Sequence, residues 1–254
     1  MIPFPPVVIV QMGLPPAPLM QRLGDQADWF AAALGRQRSE LRVAQPFLDE
    51  PLPRADDFSL AIVTGSWSMV ADREPWSERT AAWLAELVAQ GKPVLGVCYG
   101  HQLMAHALGG RVGDLPGGPE RGVFALTLTA AGRRDPLLQG LPQHFAAYLS
   151  HAQAVLEPPA GAQWLGGTGR DAYQLLRYGP NAFSMQPHPE FTPAIMAACA
   201  AGRENGNAAL DDRSAEQVAQ SPWLPQPHAL LRRFVSLHGG RRAADAVAAV
   251  SVLG

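Results

Sequence analysis

Pro93-Val94-Leu95-Gly96-Val97-Cys98-Tyr99-Gly100-His101-Gln102 is the stretch on which the fold turns. Pro93 to Val97 is a short apolar run with the look of a buried strand, and Tyr99 to Leu108 reads as a helix closed by Gly109-Gly110. A strand that feeds a helix with no loop between them must bend sharply at the residue in the middle, here Cys98. Gly96 and Gly100, two positions to either side, remove the Cβ atoms that such a bend would crowd. The expected geometry is the thiol form of a Gly-x-Ser-x-Gly elbow, with an exposed sulfur at the C-terminal end of a strand. The opening turn of the helix offers free N–H groups and partial positive charge, which favour thiolate over thiol and can face a developing oxyanion.

Outward from this point, strands and helices alternate. Val7 to Val10 is a β-branched run followed by a Pro-broken stretch and a helix around Asp28 to Leu34. Leu60 to Val63 is a second buried strand, ending in Thr64-Gly65-Ser66. From Trp76 to Gln90, Ala82, Trp83, Leu84, Leu87 and Val88 share one helical face, and Gly91 sits at the C-terminal cap position. Such alternation argues for a parallel sheet with crossover helices, a three-layer α/β sandwich with its active site at the C-terminal edge of the strands. Between Arg111 and Leu165 the pattern changes, and the alternation of Val123 to Leu128 predicts added antiparallel strands. Tyr173 to Tyr178 and Ala182 to Gln186, joined by Gly179-Pro180-Asn181, predict a hairpin. After Glu190 the chain reads as mostly helical, with Leu230, Leu231, Phe234 and Leu237 expected to dock one face on the core. Residues 1–254 are expected to form one domain, with Arg241 to Gly254 a loose tail.

Composition narrows the function. Hydrophobic residues make up 47% and charged residues 17%, which describes a chain able to bury a core rather than a disordered one. A net charge of −2 with no Lys/Arg run beyond pairs such as Arg232-Arg233 leaves no footprint for nucleic acid. No apolar run reaches the length of a membrane span, and Met1 to Val10 is broken by three prolines and lacks the basic flank of an export signal. With two cysteines only, a disulfide framework is not expected, and the default is a reducing, cytoplasmic setting. Cys199, in a run of alanines, is read as a small buried hydrophobe.

A second constellation lies downstream in Gln186-Pro187-His188-Pro189-Glu190. The prolines hold the chain extended around His188, so that residues i and i+2 point the same way and Glu190 can reach the imidazole. A carboxylate on one ring nitrogen fixes the tautomer and leaves the other for a thiol, the nucleophile, base and orienter arrangement. His101, one turn into the helix after Cys98, is expected to point away from the sulfur, and no partner can be named for His106, His144, His228 or His238. Histidines, cysteines and carboxylates nowhere recur at metal-ligand spacing, so no metal site is expected.

At these residues the sequence resembles the class I, triad-type glutamine amidotransferases, most closely the domain found in GMP synthetase-like proteins. Val94 to Gln102 and Gln186 to Glu190 carry the resemblance, with Thr64-Gly65-Ser66 upstream in the same order and Ser150-His151 as a weaker match to the family's Ser-His substrate segment. In order and spacing it covers Val7 to Phe191. It implies a flavodoxin-like sheet, with Cys98 as nucleophile, His188 as acid/base and Glu190 as its orienter. It also implies an oxyanion hole from the N–H groups of Gly65 and Tyr99, and glutamine held by Gln102 with the Ser150-His151 backbone. No cofactor is implied. The substrate would be glutamine or a γ-glutamyl compound, with a separate synthetase subunit as a possible ammonia acceptor. Three departures stand out: Thr-Gly-Ser replaces the family's Gly-Gly-Pro, Pro187 replaces an aromatic residue, and Gln153 stands where an Asp often closes the Ser-His segment. A stand-alone γ-glutamyl hydrolase is the competing enzyme reading. A binding or regulatory module without turnover is the competing reading of another class, against which the intact Cys98, His188 and Glu190 argue.

Overall fold

The computed structural model describes residues 6–201, 220, 221 and 223–239. The tail expected over Arg241 to Gly254, and part of the helical stretch expected after Glu190, lie outside the described residues. Strands β1 (Val7–Val10), β2 (Arg42–Ala44), β3 (Leu60–Val63), β4 (Val94–Val97) and β11 (Ala182–Met185) form a parallel block. Strands β6 (Glu120–Leu128), β7 (His144–His151), β9 (Gln163–Gly167) and β10 (Leu175–Arg177) extend it with antiparallel pairing. Together they give a nine-stranded sheet in the order β2-β1-β3-β4-β11-β10-β9-β6-β7. Strands β5 (Arg111–Asp114) and β8 (Gln153–Glu157) pair separately as a small antiparallel sheet. The expected hairpin is present as β10 and β11, closed by the Tyr178 N–H on the Ala182 carbonyl at 3.0 Å.

Side-chain alternation along the parallel strands explains the layers. Val7 and Ile9, Leu60 and Ile62, and Leu95 and Val97 meet helices α2 (Gln26–Leu34) and α7 (Pro225–His238) on one face. Val8 and Val10, Ala61 and Val63, and Val94 meet α3 (Pro75–Ala89) and α4 (Tyr99–Ala107) on the other. Each of these strand side chains is fully buried, which stabilises the fold by about 1.5–3 kcal/mol per large aliphatic residue. This is the three-layer α/β sandwich that the alternating pattern predicts.

Three local expectations shift. Helix α2 begins at Gln26 rather than Asp28, because Asp25 and Asp28 form a reciprocal capping box, each side chain accepting from the other's backbone N–H. The stretch read as Pro-broken holds a short helix, α1 (Ala17–Leu23), whose prolines occupy the cap and first turn where a missing N–H costs nothing. Leu237 is 49% exposed, and Val235 takes its place beside Leu230, Leu231 and Phe234. On a helix of 3.6 residues per turn Leu237 lies about 90° from the centre of that buried set.

Candidate active site

Cys98 sits between β4 and α4 with φ 52° and ψ −104°, a conformation that L-residues avoid and that stores about 1–3 kcal/mol of strain. The backbone on both sides holds it there. The Cys98 N–H donates to the Met185 carbonyl at 2.9 Å, and the Gly100 N–H to the Thr64 carbonyl at 3.1 Å. A Cβ on Gly96 would lie 2.5 Å from the Gly100 carbonyl oxygen, and one on Gly100 would strike the Val63 backbone. The sulfur is not exposed as the sequence reading had it: Cys98 is only 5% accessible, because loops from β3, β7 and β11 close over the elbow, and it is reached through two clefts.

Thr64-Gly65-Ser66 crosses directly over the sulfur. A Cβ on Gly65 would meet His188 Cε1 at 3.1 Å and Cys98 Sγ at 3.8 Å, so its backbone lies against both groups. The loop is tied to the chain after β1: the Met12 N–H donates to Thr64 Oγ1 at 3.0 Å, and Ser66 Oγ donates to the Met12 carbonyl at 2.7 Å. Tyr99, whose N–H opens α4, is anchored by its ring, which stacks on Trp76 and whose hydroxyl pairs with Ser77 at 2.6 Å. Burial pushes its phenol up to about 12.

His188 follows β11. Its backbone N–H donates to the Tyr148 carbonyl at 3.0 Å, its Nδ1 lies 2.8 Å from Glu190 Oε1, and its ring stacks on Phe191 with centroids 3.9 Å apart. Both members of the pair are buried. Burial alone would depress the imidazole pKa, but the Glu190 charge and the hydrogen bond and charge of Cys98 outweigh it, raising His188 to about 10. With Nδ1 committed to Glu190, Nε2 is the nitrogen left for the sulfur.

Ser150 and His151, at the end of β7, close the site from the antiparallel half of the sheet. Cys98 Sγ lies 4.0 Å from the Ser150 carbonyl. Gln102 does not project freely: its Nε2 donates to the Gln153 carbonyl at 2.6 Å and to Gln186 Oε1 at 2.9 Å. The Gln153 side chain, the third departure from the family pattern, is spent on the Ala71 N–H and on Asp114. His101 is fully buried, with Nδ1 2.6 Å from Ser184 Oγ, and burial pushes it down to about 3.

Sequence spacing missed two features. His151 Nε2 lies 3.0 Å from Glu120 Oε2, and Glu120 also accepts from Thr168 Oγ1 and Gln174 Nε2, both at 2.7 Å. With Asp171 they bring metal-ligating atoms within 4.8 Å of one another, a grouping that the spacing along the chain does not reveal. Here the Glu120 carboxylate is already held by three donors, an arrangement satisfied as a hydrogen-bonded pair. The second feature is a cleft of about 300 Å³ beside Cys98 and His188, lined by Trp29, Trp67 and Phe191 from three separate segments.

The model of the family described as "Glutamine amidotransferase class-I" matches residues 37–198. That is well over half of the chain, and the protein belongs to this family. Among relatives, "GMP synthase [glutamine-hydrolyzing]" of Aeropyrum pernix is 39% identical over 143 residues, 56% of this chain and 26% of that protein. Gamma-glutamyl peptidase 5 of Arabidopsis thaliana is 27% identical over 150 residues, 58% of this chain and 59% of the relative. The chain thus spans about a quarter and about three-fifths of these two relatives. A crystal structure of a glutamine amidotransferase from Thermotoga maritima shares the fold, with a TM-score of 0.71 and 18% identity over 92% of this chain and 98% of that one. Among the described residues no helix is long and apolar enough to cross a membrane.

Proposed function

We propose that the protein hydrolyses the side-chain amide of glutamine through a γ-glutamyl thioester on Cys98, releasing glutamate and ammonia. The observation that carries this reading is the imidazole of His188, clamped by Glu190 at 2.8 Å and raised to about 10 by that carboxylate and by the neighbouring Cys98. An imidazolium beside sulfur favours the thiolate. The thiolate attacks the amide carbon, and the carbonyl electron pair moves to oxygen, where the N–H groups of Gly65 and Tyr99 receive it. Each such donor contributes about 3 kcal/mol of transition-state stabilisation. His188 Nε2 gives its proton to the departing nitrogen, then takes one from the water that cleaves the thioester, a role worth about 10²–10⁴-fold. Gln102, Ser150 and His151 shape the wall of the polar cleft, about 260 Å³, that receives the glutamyl part.

For the ammonia, the kinship with a glutamine-hydrolyzing GMP synthase four times longer than the matched region supports a separate synthetase subunit as acceptor. The kinship with a γ-glutamyl peptidase supports a second reading, a stand-alone hydrolase using the same apparatus. The test is glutamate and ammonia release from glutamine by the isolated protein beside Cys98→Ser. Activity surviving in the variant removes Cys98 as nucleophile. Failure of a glutamine-analogue electrophile to label Cys98 favours a silent binding module instead.

A further inference from the structure

We propose that the cleft walled by Trp29, Trp67 and Phe191 is a leaving-amine subsite, and that the preferred substrates are γ-glutamyl amides whose amine carries an uncharged aromatic group. The inference rests on the γ-glutamyl transfer reading and specifies its leaving group.

Cys98 lies where two clefts meet. One is lined by Ser66, Gln102, Ser150, His151 and Gln153, a polar wall; the other carries the aromatic residues together with His188 and Glu190. A substrate in acyl transfer straddles the nucleophile, with its acyl chain on one side and its leaving group on the other. The acid that protonates the departing nitrogen must stand on the leaving side. His188 lines the aromatic cleft and not the polar one, which assigns the two directions: glutamyl into the polar cleft, amine into the aromatic one.

Ammonia has no use for such walls. Trp29 stands edge-on to Trp67 at 6.5 Å and to Phe191 at 5.7 Å, and Phe191 in turn stacks on His188. The result is a ring-lined slot opening on the scissile bond. At about 300 Å³ it reaches the lower end of small-ligand sites, far more room than ammonia fills. Aromatic walls favour an aromatic guest through offset and edge contacts, worth about 0.5–1.5 kcal/mol per ring pair beyond area burial. Charge narrows the choice. No Lys or Arg is among the described residues lining the slot, and its carboxylate, Glu190, already holds His188, so a carboxylate on the amine meets no cation there. Gln26 Nε2, buried in the same wall and without a hydrogen-bond partner among the described residues, leaves one donor for a neutral acceptor on the guest.

The chemistry balances as hydrolysis. The Cys98 C–S bond forms, the C–N bond breaks, His188 Nε2 supplies the proton that makes the amine neutral, and water adds across the thioester to give glutamate and regenerate the thiol.

The test measures kcat/KM of the full chain on glutamine, γ-glutamyl-methylamide, γ-glutamyl-phenethylamide and γ-glutamyl-phenylalanine. The phenethylamide is expected to exceed the methylamide by about tenfold or more, the span a hydrophobic pocket delivers, and to exceed γ-glutamyl-phenylalanine. Trp67→Ala is expected to lower the ratio of phenethylamide to methylamide at least threefold. Trp29→Phe, a milder change at the more buried ring, is expected to lower it less. Equal rates on the two amides, or a ratio unmoved by both variants, overturns the subsite while the γ-glutamyl reading stands. Preference for γ-glutamyl-phenylalanine overturns the uncharged-amine part. If a folded protein turns over none of the four compounds, the thioester reading itself falls and the subsite with it.

Discussion

Two buried histidine–glutamate pairs lie within reach of the same cysteine, and they do opposite things. His188 and Glu190 meet at 2.8 Å, and His151 and Glu120 at 3.0 Å. All four side chains are at most 6% exposed. The difference is the third partner. His151 Nδ1 lies 2.9 Å from the Gln153 carbonyl, so both of its nitrogens face acceptors that never release a proton of their own. Such a ring is a bolt: it joins β6, β7 and the start of β8 behind the polar cleft. His188 has the Cys98 sulfur in place of a carbonyl, and sulfur can give up a proton and take it back. Pairing with a carboxylate therefore does not mark an imidazole as reactive. What the second nitrogen meets does.

The largest effect that would break this comparison is at His188. His188→Ala is expected to lower kcat/KM on glutamine by about 10³–10⁴-fold, the range for losing an acid/base partner that acts as a unit with its nucleophile. Thermal stability should change far less, since the ring occupies a reacting site. Comparable turnover in the variant would place the chemistry elsewhere.

Next comes the bolt. Glu120→Ala leaves the His151 ring, Thr168 and Gln174 without the acceptor they share, and breaking a buried pair in this way costs about 3–5 kcal/mol of stability. Burial works to raise the Glu120 carboxyl, but hydrogen bonds from His151 and Thr168 outweigh it and hold it below the ordinary value of 4.5. A depressed carboxylate adds stability above its unfolded pKa and loses it as pH falls through the folded one. Denaturant unfolding should therefore separate wild type from Glu120→Ala widely at neutral pH, with the gap closing in acid below about pH 4. A gap independent of pH would mean that packing, not the ion pair, is what the variant removes.

The two pairs were unequally legible in the chain. Glu190 lies two residues from His188, and extended backbone between prolines puts them on one side, so their contact follows from local geometry. The Cys98 elbow is equally local, since its glycines, strand and helix lie within ten residues. Glu120 and His151 are 31 residues apart, on strands joined only by the register of β6 on β7, which sets Glu120 opposite His151. Nothing short-range encodes that register. The aromatic cleft is hidden for the same reason: Trp29 comes from α2, Trp67 from the loop after β3 and Phe191 from the segment after β11, and each alone reads as a core residue. Exposure of the sulfur was misjudged because the turn predicts where Cys98 points but not which loops close over it.

The smallest effect sharpens the comparison most, because it changes charge and little else. Glu190→Gln keeps an oxygen that can accept from His188 Nδ1 and removes only the negative charge. That charge is the largest influence raising the imidazole, working against burial, and an opposite charge at this range is worth about 1–3 pKa units. The wild-type ring, raised from 6.5 to about 10, keeps its proton through neutral pH, so the alkaline limb of kcat/KM should fall only as pH approaches 10. The sign for stability is the same: a folded pKa above the unfolded one stabilises fully below about 6.5 and is lost as pH rises through about 10. In Glu190→Gln the alkaline limb should move down by about one to two units, with a neutral-pH rate loss of about ten- to a hundredfold. The analogous change at the bolt, Glu120→Gln, touches a ring that trades no proton and should leave the alkaline limb where it is. If both variants shift that limb alike, the two imidazoles titrate as one system and the division between reacting ring and bolt does not hold.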